Sequence, residues 1–267
     1  MRGHHAVTLA VAVGACSGGK IPLRYRPPRG AVYHYTLSMR NSVENGAVMS
    51  PAPGQNRTWT IYFTEFVRFT DPNGGGTETG VRVDSTAPDV PQLRGRTSSV
   101  FLDGRGRLMR SDPPEFPGLS ADLTYRMRVI ASAGAISFPE ERVRVGDSWT
   151  ITTRLPLEAF GAAAQELGKM QATVTLKAIQ VTDADTLVVL GIDEKLPTDP
   201  IPITSGGIAM IVHPSGSVTG EYRFSLARGT VITETLRGTM TLNVAAAALG
   251  KDTLLVSSVT ETTLRLQ

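Results

Sequence analysis

The sequence predicts a mainly β protein: two duplicated antiparallel β units, packed as a sandwich or curled as a half-barrel, joined by one connecting α-helix. Three observations predict it. From Leu23 onward, apolar residues recur at every second position over most of the chain. Clusters of Gly, Asp, Asn and Pro punctuate these runs at hairpin spacing. Strand motifs of the first half also return, in the same order, in the second.

Val32, Tyr33, Tyr35, Leu37 and Met39 predict a first strand. Trp59, Ile61 and Phe63, then Val67 and Phe69, predict a second, and the polar interruption at Glu65-Phe66 reads as a phase slip of the β-bulge kind. Asp71-Pro72-Asn73-Gly74-Gly75-Gly76 is a turn, and Gly80 to Asp84 is the next strand. Val100-Phe101-Leu102, Asp103-Gly104-Arg105-Gly106 and Arg107-Leu108-Met109 read as a hairpin with its loop. Ser120 to Ala133 breaks the pattern: Leu119, Leu123, Met127 and Ile130 fall at helical spacing, Ser120 can cap, and Gly134 can terminate. Leu157 to Leu167 is a second, alanine-rich helical stretch interrupted by Gly161. Gly146-Asp147 predicts a tight turn before a strand beginning at Trp149. Strands then follow at 173–181, 186–192, 207–212, 218–226, 230–236, 239–244 and 254–266.

The repeat matches Ile61–Asp71 with Val174–Asp183, with a second slip at Lys177-Ala178. Val81–Asp84 matches Leu190–Asp193, and Ser99–Gly106 matches Ala209–Gly216. Two units related by a pseudo-dyad each have one apolar face to bury.

Composition bounds the function. The 267 residues carry 41% hydrophobic side chains, enough for a sizeable core. Net charge is +3, with Lys and Arg spread along the chain rather than in runs, which speaks against nucleic acid as partner. One cysteine, Cys16, excludes an intramolecular disulfide and any multi-cysteine zinc site.

That cysteine ends a recognisable order of features: Arg2, an apolar stretch Ala6 to Val13 too short to span a bilayer, then Gly14 and Ala15. Val13-Gly14-Ala15-Cys16 resembles the bacterial lipobox, which implies cleavage before Cys16, lipid on its sulfur and a membrane as partner. Ser17-Gly18-Gly19 follows as a flexible tether, and serine rather than aspartate after the cysteine resembles outer-membrane sorting. The division expected is 1–15 signal peptide, 16–30 lipidated cysteine and tether, 31–116 first β unit, 117–136 connecting helix and 137–267 second β unit. The implied location is exported and membrane-anchored, at the outer membrane facing the periplasm or cell surface.

The mature chain resembles a family of uncharacterised bacterial secreted proteins and lipoproteins. The likeness lies in Phe138-Pro139 to Gly146-Asp147-Ser148-Trp149, in Val83-Asp84-Ser85, and in the Gly-centred hairpin at Asp103 to Arg107. It implies an exported, all-β protein and no particular chemistry.

Residues with chemical potential have plainer structural readings beside them. His34, between Tyr33 and Tyr35, reads as a surface or hydrogen-bonded histidine, since no partner can be placed for it. His213-Pro214-Ser215-Gly216-Ser217 lacks the preceding glycine and following helix of a nucleophile elbow and reads as a turn. Asp183-Ala184-Asp185 lacks the later ligands of a calcium loop and reads as a solvated hairpin. Asp84-Ser85 and Asp193-Glu194 end matched strands and point to structural hydrogen bonds. Asn56-Arg57-Thr58 fits a glycosylation acceptor, a reading that bacterial export would make weak. Trp59 and Trp149 are the two ligand-groove candidates, with core packing as the plainer reading. No phosphate-binding glycine loop, paired metal motif or dinucleotide fingerprint is present, so no cofactor, metal or catalytic set is expected. The function expected is non-catalytic binding of an apolar ligand, a glycan or an envelope protein. A structural assembly role is the alternative, and a hydrolase with an unrecognised site comes third.

Overall fold

The computed structural model describes residues 19–45, 56–112, 127, 130, 136–154, 169–205, 208–246 and 253–267. Within them lie twelve strands: β1 (Val32–Asn45), β2 (Asn56–Thr70), β3 (Thr77–Ala87), β4 (Thr97–Leu102), β5 (Leu108–Asp112), β6 (Ser148–Arg154), β7 (Lys169–Val181), β8 (Thr186–Lys195), β9 (Ile201–Ser205), β10 (Ile208–Ser225), β11 (Thr230–Ala246) and β12 (Thr253–Leu266). All belong to one antiparallel sheet in the order β5-β4-β3-β2-β1-β12-β11-β10-β8-β7-β6, with β9 against β10. The expected leader, Cys16, most of the expected helix at 117–136 and the 157–167 stretch lie outside the described residues. Met127 and Ile130 are described; both have helical backbone and both are buried.

Alternation places the side chains as expected, but the long-range pairing joins what the sequence separates. β12 pairs with β11 through Thr233↔Arg265 and with β1 through Tyr35↔Leu266, so the C-terminal strand stitches both halves into one sheet. A period of two says which face a residue takes and nothing about which strand lies beside it.

Three strand readings change. The expected turn at His213–Gly216 is strand: β10 runs through it, pairing His213↔Asn243 and Gly216↔Met240 with β11. On its other side β10 passes from β9 (Val212↔Ile201) to β8 (Ser217↔Lys195), so Pro214 falls in the gap between those two partners. A residue without an N–H is tolerated where a ladder is interrupted. The match of this segment with the Asp103–Gly106 hairpin loop therefore fails. Arg237-Gly238 likewise lies inside β11 rather than between two strands.

The third change concerns Glu65. Ile61, Phe63, Glu65 and Val67 all fall on the inner face of β2 and are all buried, so no slip occurs at Glu65-Phe66. The β2–β3 register shifts on either side of it, between Tyr62 and Phe63 and between Val67 and Phe69, and Phe69 is half exposed. The slip expected at Lys177-Ala178 is present, between Leu176 and Ala178.

The sheet wraps around two internal segments. Residues 20–27 alternate Leu23, Tyr25 and Pro27 inward with Arg24 and Arg26 outward, and Ile21 bridges Val143. Residues 16–30 were expected as tether, yet from Ile21 onward the chain is part of the body. Phe138 is wholly buried; its ring meets Phe224 edge-on at 4.8 Å, and its N–H donates to the Arg105 carbonyl. It thus touches the β4–β5 turn of one half and β10 of the other. These segments share one continuous apolar core with residues of β1–β4, β7, β8 and β10–β12.

By strand direction, one end of the sheet carries residues 19–31 and the turns β2–β3, β4–β5, β7–β8 and β10–β11. We call it the near end. At the far end a second apolar cluster joins Met170, Leu196, Ile201, Ile203, Val212, Leu242 and Val256, with Met210 and Met240 packed against it.

Candidate functional site

The interior holds two sets of buried polar side chains. Nearer the near end, β1 and β2 bring Tyr33 opposite Glu65, and the internal segment adds Tyr25. Tyr25 donates its phenol to Glu65 Oε1 at 3.0 Å. Tyr35 donates to the Val231 carbonyl at 2.9 Å and meets the Thr230 hydroxyl at 3.1 Å, while Tyr33 donates to the Arg228 carbonyl. Burial pushes the Glu65 carboxyl up to about 7, against a smaller opposing pull from the Tyr25 hydrogen bond. Burial first, and the Glu65 charge second, also raise Tyr25 and Tyr35, and lift Tyr33 to about 12. The arrangement is a carboxyl shut inside a cage of phenols, which knits the 20–27 segment to both halves of the sheet.

Farther from the near end, Glu194 of β8 accepts the Thr153 hydroxyl from β6. Tyr222 faces Glu234 across β10 and β11. Burial raises the Glu194 carboxyl, and burial followed by the charges of Glu234 and Glu194 raises Tyr222. Both glutamates are less than a tenth exposed.

On the outer face, His34 finds the partner the sequence did not show. Its Nδ1 lies 3.0 Å from the Thr64 hydroxyl, and that hydroxyl donates to Asp84 Oδ2 at 2.6 Å. Because the hydroxyl proton points to Asp84, Nδ1 carries the histidine proton and Nε2 is the outward atom. Arg82 pairs with Asp84 at 2.9 Å and completes the row across β1, β2 and β3. One imidazole and one carboxylate, linked through a hydroxyl, orient each other on an exposed sheet surface.

The remaining candidates separate. Trp149 packs against the core and donates its ring N–H to the Ser137 carbonyl at 2.8 Å, so it serves the interior segment rather than a groove. Trp59 is partly buried against the same core. His213 is exposed on β10, opposite Asn243 and remote in sequence and sheet position from His34. Asp183-Ala184-Asp185 is a turn as expected; Asp185 accepts the amides of Thr186 and Ala227 and the Ser225 hydroxyl. Among the described residues, no group of three or more His, Cys, Asp and Glu is placed to hold a metal ion.

No family model matches the chain, and no curated protein matches it in sequence.

Glu65 escaped the sequence reading because a single polar residue in an alternating strand mimics a change of phase. The signal was there: Ile61, Phe63, Val67 and Phe69 share one parity, which a true slip would have broken.

Proposed function

We propose that the chain is an exported lipoprotein, cut before Cys16, held on a membrane by lipid on that residue, and serving a non-catalytic binding role in the bacterial envelope. What carries the reading is the position of the Val13-Gly14-Ala15-Cys16 motif relative to the body. Ile21 is already paired with Val143, only five residues beyond the cysteine. Five extended residues reach about 17 Å, so lipid on Cys16 holds the near end of the sheet against the bilayer. Among the described residues no helix is long and apolar enough to cross a membrane.

The same reading takes the body as a duplication. Stepping six places along the sheet carries β5, β4, β3, β2 and β1 onto β11, β10, β8, β7 and β6, and strand directions are kept. Residues 117–136 are then the connecting helix, to which the buried, helical Met127 and Ile130 belong.

Tyr25, Leu23 and Phe138 fill the interior at the near end, so an apolar ligand would be met at the far end, where Met170, Met210 and Met240 gather. Methionine suits that task because it adapts to irregular apolar shapes. A second reading, an assembly scaffold, is favoured by the edge strand β5. Its outer ladder is unpaired among the described strands, and Leu108 and Met109 are exposed there.

Two measurements test the proposal. Intact mass of the membrane-extracted protein should start at Cys16 and carry acyl chains, and Cys16→Ser should abolish both cleavage and membrane retention. Unchanged processing of the serine variant would defeat the anchor. Native mass spectrometry of the membrane-extracted protein should show lipid bound beyond the covalent chains; its absence would leave the scaffold reading.

A further inference from the structure

We propose that the near end of the body is a docking surface for anionic lipid headgroups, so that the protein lies against the membrane instead of hanging from it. This rests on the lipoprotein reading, but its evidence is separate. From Ser17 to Val43 the chain contains no acidic residue, and Lys20, Arg24, Arg26 and Arg29 follow the cysteine within thirteen positions. The structure turns this run into a surface: Leu23, Tyr25 and Pro27 point into the core and turn Arg24 and Arg26 outward, and Lys20 and Arg29 are exposed on either side of them.

Other elements bring further cations beside them. Arg142 donates to the Lys20 carbonyl, which places its guanidinium at the point where the tether emerges. Arg228 is exposed in the β10–β11 turn, whose Gly229 packs on the backbone of Arg26 and Pro27. The carboxylates of this end are largely occupied. Asp103 pairs with Arg107, Glu140 with Arg105, and Asp147 with Arg144. Asp71 accepts the Asn73 and Gly75 amides, and Asp185 holds the β10–β11 turn; Glu141 and Asp183 remain. Lys20, Arg29 and Arg228 have neither a carboxylate nor a side-chain hydrogen-bond partner among the described residues. Arg24, by contrast, is committed to the carbonyls of Leu23, Pro139 and Glu140 and helps hold the fold. A cationic patch that begins four residues after a membrane anchor would meet the surface potential of anionic lipid, which falls off within a Debye length.

The test compares three full-length chains, all in a Cys16→Ser background so that no acyl group contributes. One carries no other change. The second has Lys20→Gln, Arg29→Gln and Arg228→Gln. The third loses three cations away from the near end, by Arg40→Gln, Arg94→Gln and Arg96→Gln. Partition is measured by co-sedimentation with vesicles of phosphatidylglycerol and phosphatidylcholine, and of phosphatidylcholine alone, across a salt series, and thermal melts check that all three fold. Each cation near the surface contributes about fivefold to partition. The near-end variant should therefore lose about a hundredfold on anionic vesicles in low salt. The loss should vanish on phosphatidylcholine and shrink in high salt, and the control triple should lose far less. Equal losses in the two triples, or none in either, would overturn the docking surface. Intact mass of wild-type Cys16 reads the anchor independently, so an unmodified cysteine would defeat the lipoprotein reading and leave the vesicle result standing.

Discussion

Glu65→Gln isolates the buried carboxyl at the centre of the phenol cage. Glutamine keeps a carbonyl oxygen to accept the Tyr25 hydroxyl, keeps the shape, and cannot ionise. In the unfolded chain the carboxyl titrates near its ordinary 4.5; in the fold, burial moves it to about 7. Between those values the folded state binds the proton and the unfolded state does not, so stability falls as pH rises through the window. The difference of about 2.5 pH units corresponds to about 3 kcal/mol. Below pH 4.5 both states are protonated and the full stability is present; above pH 7 the loss is complete. Urea unfolding of wild type and variant at half-unit steps from pH 4 to pH 8 reads this directly. Glu194, also raised by burial, is common to both proteins and cancels in the difference. The variant should equal wild type near pH 4.5 and exceed it by about 3 kcal/mol at pH 7.5. A stability difference that is flat across the series would refute the buried-carboxyl account. So would a variant destabilised at every pH.

Three further outcomes follow from the internal segments. Phe138→Ala should cost about 3–5 kcal/mol in denaturant unfolding, because its ring is wholly buried and leaves a cavity against Phe224 between the two halves of the sheet. Gly229→Ala should cost about 3 kcal/mol, since a Cβ would lie 2.3 Å from the Arg26 carbonyl oxygen and the residue has φ +63°. Gly229→Asn tolerates that φ and should not rescue; rescue in a thermal melt would show that the backbone angle, not the contact, decides. Trp149→Phe should lose about 1 kcal/mol, the share of its ring N–H bond to Ser137, with no change in the number of cooperative transitions.

How far the sequence carried is visible at single residues. The inward set of β1 (Tyr33, Tyr35 and Leu37) and the turn at Gly146-Asp147 were legible because alternation and turn chemistry are local. The bulge at Lys177 was legible for the same reason. His34–Thr64–Asp84 was not: its members come from three strands, at separations of 30 and 20 residues, and cross-strand register is set by pairing. Nor was the path of β10 through Pro214, because the proline is tolerated only where β9 gives way to β8, and neither neighbour is local.

Glu65 shows the deeper limit. Its burial depends on Tyr25, forty residues away on a segment that reads as tether until the sheet packs against it. Once that segment is inside, its outward positions have one place to go, and all of them are Lys, Arg or Pro. The same alternation thus makes the core of the near end and the charge on its surface. A tether that left the body freely would need neither Leu23 nor Tyr25. Burying both holds residues 20–27 against the sheet, so the contacts that make the core of the near end also set where its outward cations lie.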